Sequence, residues 1–84
     1  MYYFYILKSR KTDKSYCGIT NDLKKRFYQH NSGHNFSTKP YTPWDLVYYE
    51  AYTSKLLAKQ REKIVKQRGK VKSELMKRIG FDDV

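Results

Sequence analysis

Three side chains in this sequence combine reactive chemistry with a spacing that could place them in a cleft. On a helix starting at Leu23, with about 100° per residue, Phe27 lies about 40° to one side; His30 and Arg26 lie about 20° and about 60° to the other. Leu23 and Phe27 then form a buried stripe, with His30 and Arg26 along its edge and Lys24, Lys25 and Tyr28 pointing elsewhere. An edge position holds a polar head firmly while letting it reach a cleft, as a phosphate-binding arginine or a proton-carrying histidine requires. On spacing alone the ordinary alternative is the stronger: Arg26 snorkels, and His30 is a surface residue near a helix end. Glu62 is a parallel case, lying between Ala58 and Val65 on one helix face and surrounded by Lys59, Arg61, Lys63 and Lys66. It reads either as an ion-pair partner or as a ligand for a hard cation such as Mg²⁺, which needs only one or two carboxylates plus substrate phosphate oxygens. Taken by itself, the sequence favours the ion pair.

Tyr2, Tyr3, Tyr5 and Tyr16 read as core or sheet-surface rings. A phenol is a poor base at neutral pH unless neighbouring cations lower its pKa from about 10, and the basic surroundings here make that lowering plausible. Other chemistries are absent. No GxGxxG or GxxxxGK[ST] loop and no HExxH helix occurs, and Asp13, Asp22, Asp45 and Glu50 are too scattered for a two-metal site. Cys17 lies in an apolar segment, where a cysteine is more often a small buried residue than a nucleophile. As a single cysteine it also rules out an internal disulfide framework.

The elements that must carry these residues follow from composition. Tyr2–Lys8 is aromatic and aliphatic and reads as a strand, Ser9–Lys14 as a polar turn, and Ser15–Ile19 as a second strand closing a hairpin. Thr20 and Asn21 are helix-start residues and Asp22 suits the positive end of a helix dipole, before a helix over Leu23–His30. Asn31–Trp44, with one Gly and two Pro, is a loop long enough to suspect a role in function. Asp45–Tyr52 is a third strand. Thr53 or Ser54 can cap a helix to Gln67, Gly69 breaks it, and Lys70–Ile79 forms a last short helix. The predicted fold is α+β, a small three-stranded, mainly antiparallel sheet flanked by helices in the order β-β-α-β-α-α, forming a single domain over residues 1–84.

The 84 residues carry a formal net charge of +10, with 39% hydrophobic and 17% aromatic residues, enough for a modest core. Lys55–Arg78 holds ten basic residues against Glu62 and Glu74, a surplus of eight that leaves +2 for the rest. Such a concentrated face is the electrostatic footprint of a phosphate-backbone binder. Lys25, Lys59, Lys63, Lys66 and Arg68 are therefore the candidate nucleic-acid contacts. No apolar run approaches a membrane span and the opening YYFYIL does not make a secretory signal, so a cytoplasmic protein with no membrane association is expected.

Taken together, these segments fall into a known order. Tyr3-Phe4-Tyr5, then Tyr16-Cys17-Gly18, then Ile19-Thr20-Asn21-Asp22-Leu23 and Lys25-Arg26 through His30-Asn31, resemble the GIY-YIG nuclease family. SYCGITNDLKKRFYQHNSG is closest to its short stand-alone members, themselves similar to the amino-terminal domain of the bacterial excision-repair endonuclease subunit. Val47-Tyr48-Tyr49-Glu50 resembles the family's third strand, and Ala58–Lys66 the helix carrying its metal-binding glutamate. The resemblance spans Tyr2 to Leu75. It departs at Tyr3, where the family has glycine, and at Cys17, both spacers in a strand; Gly18 is kept.

The resemblance implies catalytic roles for Tyr5, Tyr16, Arg26, His30 and Glu62, with Glu62 also the ligand of Mg²⁺ or Mn²⁺, and structural roles for Gly18 and Asn21. It implies one-metal hydrolysis of phosphodiester bonds, with Arg26 on the phosphate. Tyr5 by preference activates water, and Tyr16 or His30 shares the proton path. DNA at low sequence specificity is the expected substrate, in a DNA-repair setting, and a protein partner could supply specificity. The alternatives are a non-catalytic nucleic-acid-binding module, a metal-independent ribonuclease using His30 and His34, and a protein-interaction domain.

Overall fold

Central to the architecture is β1 (Tyr2–Ser9), whose residues Phe4 to Leu7 are all buried although strand side chains alternate between faces. Both faces of this strand must therefore be covered. The computed structural model, which describes residues 1–81, shows how. β2 (Ser15–Thr20) and β3 (Trp44–Tyr52) pair antiparallel on either side of β1, giving the sheet order β2-β1-β3. On one face, Phe4, Ile6 and Cys17 pack with Val65, Leu75 and Met76 of α2 (Lys55–Gln67) and α3 (Gly69–Arg78). On the other, Tyr5, Leu7 and Trp44 pack with Tyr16, Leu46 and the α1 (Leu23–Asn31) residues Leu23 and Phe27. The α+β class and the order β-β-α-β-α-α are as the sequence predicts.

A register shift keeps β3 compatible with both layers. Ile6 faces Tyr48 but Leu7 faces Leu46, so Val47 is an extra residue in the β1–β3 ladder. Before the shift, Tyr48, Glu50 and Tyr52 share the α2–α3 face; after it, Leu46 and Trp44 join Tyr5 and Leu7. One inserted residue thus reverses which face the alternating pattern serves.

The helix boundaries correct the sequence reading in two places. Asp22, not Asn21, is the α1 N-cap, its side chain accepting the Lys25 backbone N–H at 3.1 Å. Gly69 does not break the second helix: it is the first residue of α3, and Arg68, extended at φ −113° and ψ 92°, ends one helix and starts the next. That conformation is open to any L-residue, so no glycine is needed for the bend. Ser54 caps α2 by accepting from the Leu57 N–H at 3.2 Å. The loop after α1 also contains a short 3-10 turn, Lys39–Tyr41, that the sequence did not announce. Among the described residues no helix is long and apolar enough to cross a membrane.

Candidate active site

Gly18 decides how the site is built. It lies opposite Tyr5 in the β1–β2 ladder, and a Cβ there would stand 2.6 Å from the Tyr5 hydroxyl oxygen and 2.8 Å from Cζ. The missing side chain lets the Tyr5 ring lie across β2, and its hydroxyl comes within 2.8 Å of His30 Nε2. Tyr16 adds a third ring, 6.4 Å from that of Tyr5 and 4.9 Å from that of His30.

His30 is wholly buried, at 0% exposure, and is the one α1 residue so enclosed. The alternative of a surface histidine near a helix end is overturned, because its partners lie far off in sequence. Nδ1 is 2.9 Å from Thr38 Oγ1, which itself donates to the Asn35 carbonyl at 3.3 Å. With the threonine proton so directed, Nδ1–H donates to Thr38 and Nε2 accepts from the Tyr5 hydroxyl. Burial, reinforced by the charge of Arg26, lowers the His30 pKa from 6.5 to about 4, so the ring is neutral at physiological pH. Thr38 is in turn fixed by the Trp44 indole N–H, which donates to its carbonyl at 3.0 Å. Sequence reasoning missed Thr38; its only signal was the length of the Asn31–Trp44 loop.

Tyr5 corrects a second expectation. Burial pushes its pKa up to about 12, and Arg26, facing the same hydroxyl, opposes that shift without overcoming it. The basic surroundings do not turn Tyr5 into a ready phenolate. The Arg26 guanidinium, partly exposed, is held more firmly protonated by Tyr5 and then Tyr16, and it donates to Gln29 at 3.3 Å. Arg26 also lines a shallow groove with Tyr5, Leu7, Leu23, Phe27 and Leu46.

Glu62 comes from α2 beside the buried Ala58 and Val65, close enough to Tyr5 to oppose its ionisation. Its carboxylate pairs with Lys66 at 3.2 Å, and the Lys66 ammonium also stands 5.7 Å from the centre of the Tyr16 ring. Lys66, expected to meet nucleic acid, is thus engaged within the site. Lys25, Lys59, Lys63 and Arg68 are exposed. Asn21 is exposed at the β2–α1 corner. Cys17 is buried in the core, where burial raises its pKa above the ordinary value. Among the described residues no three His, Cys, Asp or Glu side chains converge as a metal cage. Glu62 offers one hard carboxylate, which suits Mg²⁺ because that ion keeps several waters and takes substrate oxygens as further ligands.

This assembly can be set beside known proteins. Residues 1–75 match the family model described as the GIY-YIG catalytic domain. The chain belongs to that family. It is 44% identical over 63 residues to a UPF0213 protein of Bacillus pumilus, covering 73% of this chain and 62% of that one. It is 37% identical over 75 residues to the UPF0213 protein YazA of Bacillus subtilis, covering 88% and 75%. The chain therefore spans somewhat under two thirds to three quarters of the length of these relatives. The solution structure of a UPF0213 protein from Bacillus halodurans is 31% identical, with a TM-score of 0.57, over 94% of this chain and 84% of that one. GIY-YIG membership supports a nuclease role.

Proposed function

We propose that this GIY-YIG chain is a divalent-metal-dependent endonuclease that hydrolyses phosphodiester bonds, in DNA by preference and with little sequence specificity. The observation that carries this reading is the convergence of Tyr5, Tyr16, Arg26 and His30 within a GIY-YIG domain, with Glu62 reaching the same place from α2. Mg²⁺ or Mn²⁺, held by Glu62, would supply charge stabilisation at the phosphate and the leaving oxygen.

The chain's own residues supply the rest. The Arg26 fork engages phosphate oxygens. Neutral His30 accepts from Tyr5 and so fixes the Tyr5 oxygen, whose remaining lone pair orients the attacking water. Buried Tyr5 stays protonated at neutral pH. Tyr16, partly exposed and standing beside Arg26 and Lys66, is placed to share the proton path. Exposed Lys25, Lys59, Lys63 and Arg68 hold the phosphate backbone, which confers affinity with little base readout.

Both His30 nitrogens are engaged within the protein, and His34 is an exposed loop residue bonded to Ser32, which argues against a His30–His34 ribonuclease. Plasmid nicking tests the proposal. Mg²⁺ should support nicking and a chelator abolish it, while Glu62→Ala and Arg26→Ala should each lower the rate by about 100-fold or more. Cleavage by Glu62→Ala at the wild-type rate would overturn the assignment, and binding without nicks would mark a pure binding module.

A further inference from the structure

The half of the sheet face beyond α1 is open, and an aromatic ring lies on it. Tyr49 is the β3 partner of Tyr5 in the β1–β3 ladder and shares its face, yet it is 55% exposed. The cause is local. Tyr5 lies toward β2, across Gly18, and so gives Tyr49 no cover. Tyr49 packs instead on Tyr3, the next residue along β1 on that face, at 6.0 Å between centroids and 71° between planes. This edge-to-face support orients the ring while leaving it accessible to solvent. The adjacent β3 residue on the same face, Ala51, is also exposed and too small to cover it.

From this geometry we propose that Tyr49, braced by Tyr3, is a base-stacking subsite for an unpaired nucleotide next to the phosphate being cleaved. The substrate class is then single-stranded nucleic acid, or an unpaired segment within a duplex. β3 lies two strand spacings, about 10 Å, from β2, within reach of a neighbouring nucleotide of a chain whose phosphate rests at Arg26 and Tyr16. The protein's net charge of +10 draws in the backbone, and the exposed ring takes a base face of any identity. A base inside a continuous helix cannot lie on this ring, so stacking favours strands whose bases are free. The inference rests on the nuclease reading for its neighbouring phosphate site.

Binding by fluorescence anisotropy, in chelator, to labelled short oligothymidylate, oligouridylate and a blunt, fully paired two-strand duplex separates the two claims. Tyr49→Ala should weaken single-strand binding by roughly 5- to 100-fold and change duplex binding less than about twofold. Tyr49→Phe should bind as wild type, and the two oligomers show whether DNA or RNA supplies the base. Equal affinity of Tyr49→Ala and Tyr49→Phe for both oligomers would overturn the subsite, as would equal losses on single strand and duplex. Circular dichroism checks that both variants are folded. If Tyr49→Ala destroys the fold, Tyr49→Trp takes its place: quenching of the new indole by single strand, and not by duplex, is expected, and no quenching would overturn the claim. These readouts need no cleavage, so failure of the nuclease reading shows separately, as nicking that survives Glu62→Ala.

Discussion

Single residues here act through what they leave out as much as through what they bring. Gly18 is the clearest case, since a methyl group would occupy space already filled by the Tyr5 hydroxyl. Tyr5 is 2% exposed and has no room to swing aside. Gly18→Ala should therefore lower cleavage roughly 100-fold through a misplaced Tyr5. It should cost about 1–3 kcal/mol of stability, read by denaturant unfolding. Retained activity would mean that the Tyr5–His30 contact is dispensable. His30 sets a pH dependence whose sign follows from its depressed pKa, from 6.5 to about 4. Below about 6.5 the unfolded chain takes up a proton that the folded chain refuses, so stability is complete above that pH and declines as pH falls toward 4. Between pH 6.5 and 5 the loss should be about 2 kcal/mol in urea titrations, and His30→Gln should flatten the curve over that interval.

Among the elements, α2 is placed by a polar clamp as well as by its buried stripe. Arg61 donates from Nε and Nη2 to the two oxygens of Glu50 at 2.9 and 3.0 Å, while the Tyr48 and Tyr52 hydroxyls donate to the same carboxylate. Burial pushes the Glu50 pKa up, but these donors outweigh it and hold the carboxyl below its ordinary 4.5. The clamp thus contributes fully above pH 4.5 and is lost as pH falls through the lower folded value. Glu50→Gln should destabilise the protein by about 1–3 kcal/mol at pH 7 and by progressively less below pH 4.5, measured by denaturant unfolding. Activity should fall with it where the tilt of α2 shifts Glu62. Most of these elements were legible in the sequence, because the hairpin, α1, β3 and α2 have strong local signals. The 3-10 turn at Lys39–Tyr41 lay hidden in a polar loop, and Arg68 makes its bend in a conformation that no residue type advertises. The candidate site was drawn as a set of residues from the family pattern. His30's burial was not legible, since Tyr5 and Thr38 reach it from 25 and 8 positions away.

For the molecule as a whole, the surplus of basic residues in Lys55–Arg78 should govern affinity more than selectivity. Replacing Lys59 and Lys63 by Gln should weaken binding to all sequences alike and reduce the slope of log affinity against log salt by roughly 0.7–0.9 for each phosphate no longer neutralised. An unchanged slope would place the nucleic acid elsewhere. The placement of β1 has a further consequence, for motion. Central in its sheet and covered on both faces, it belongs to the part of the protein whose amides open only with global unfolding. Tyr5 is therefore held for as long as the fold lasts. Lys66 and Glu62, partly exposed side chains of α2, can rearrange on the far shorter timescale of side chains. One part of the site is permanent and the other adjusts, so under the proposed function a phosphate and its ion would enter and leave without disturbing Tyr5.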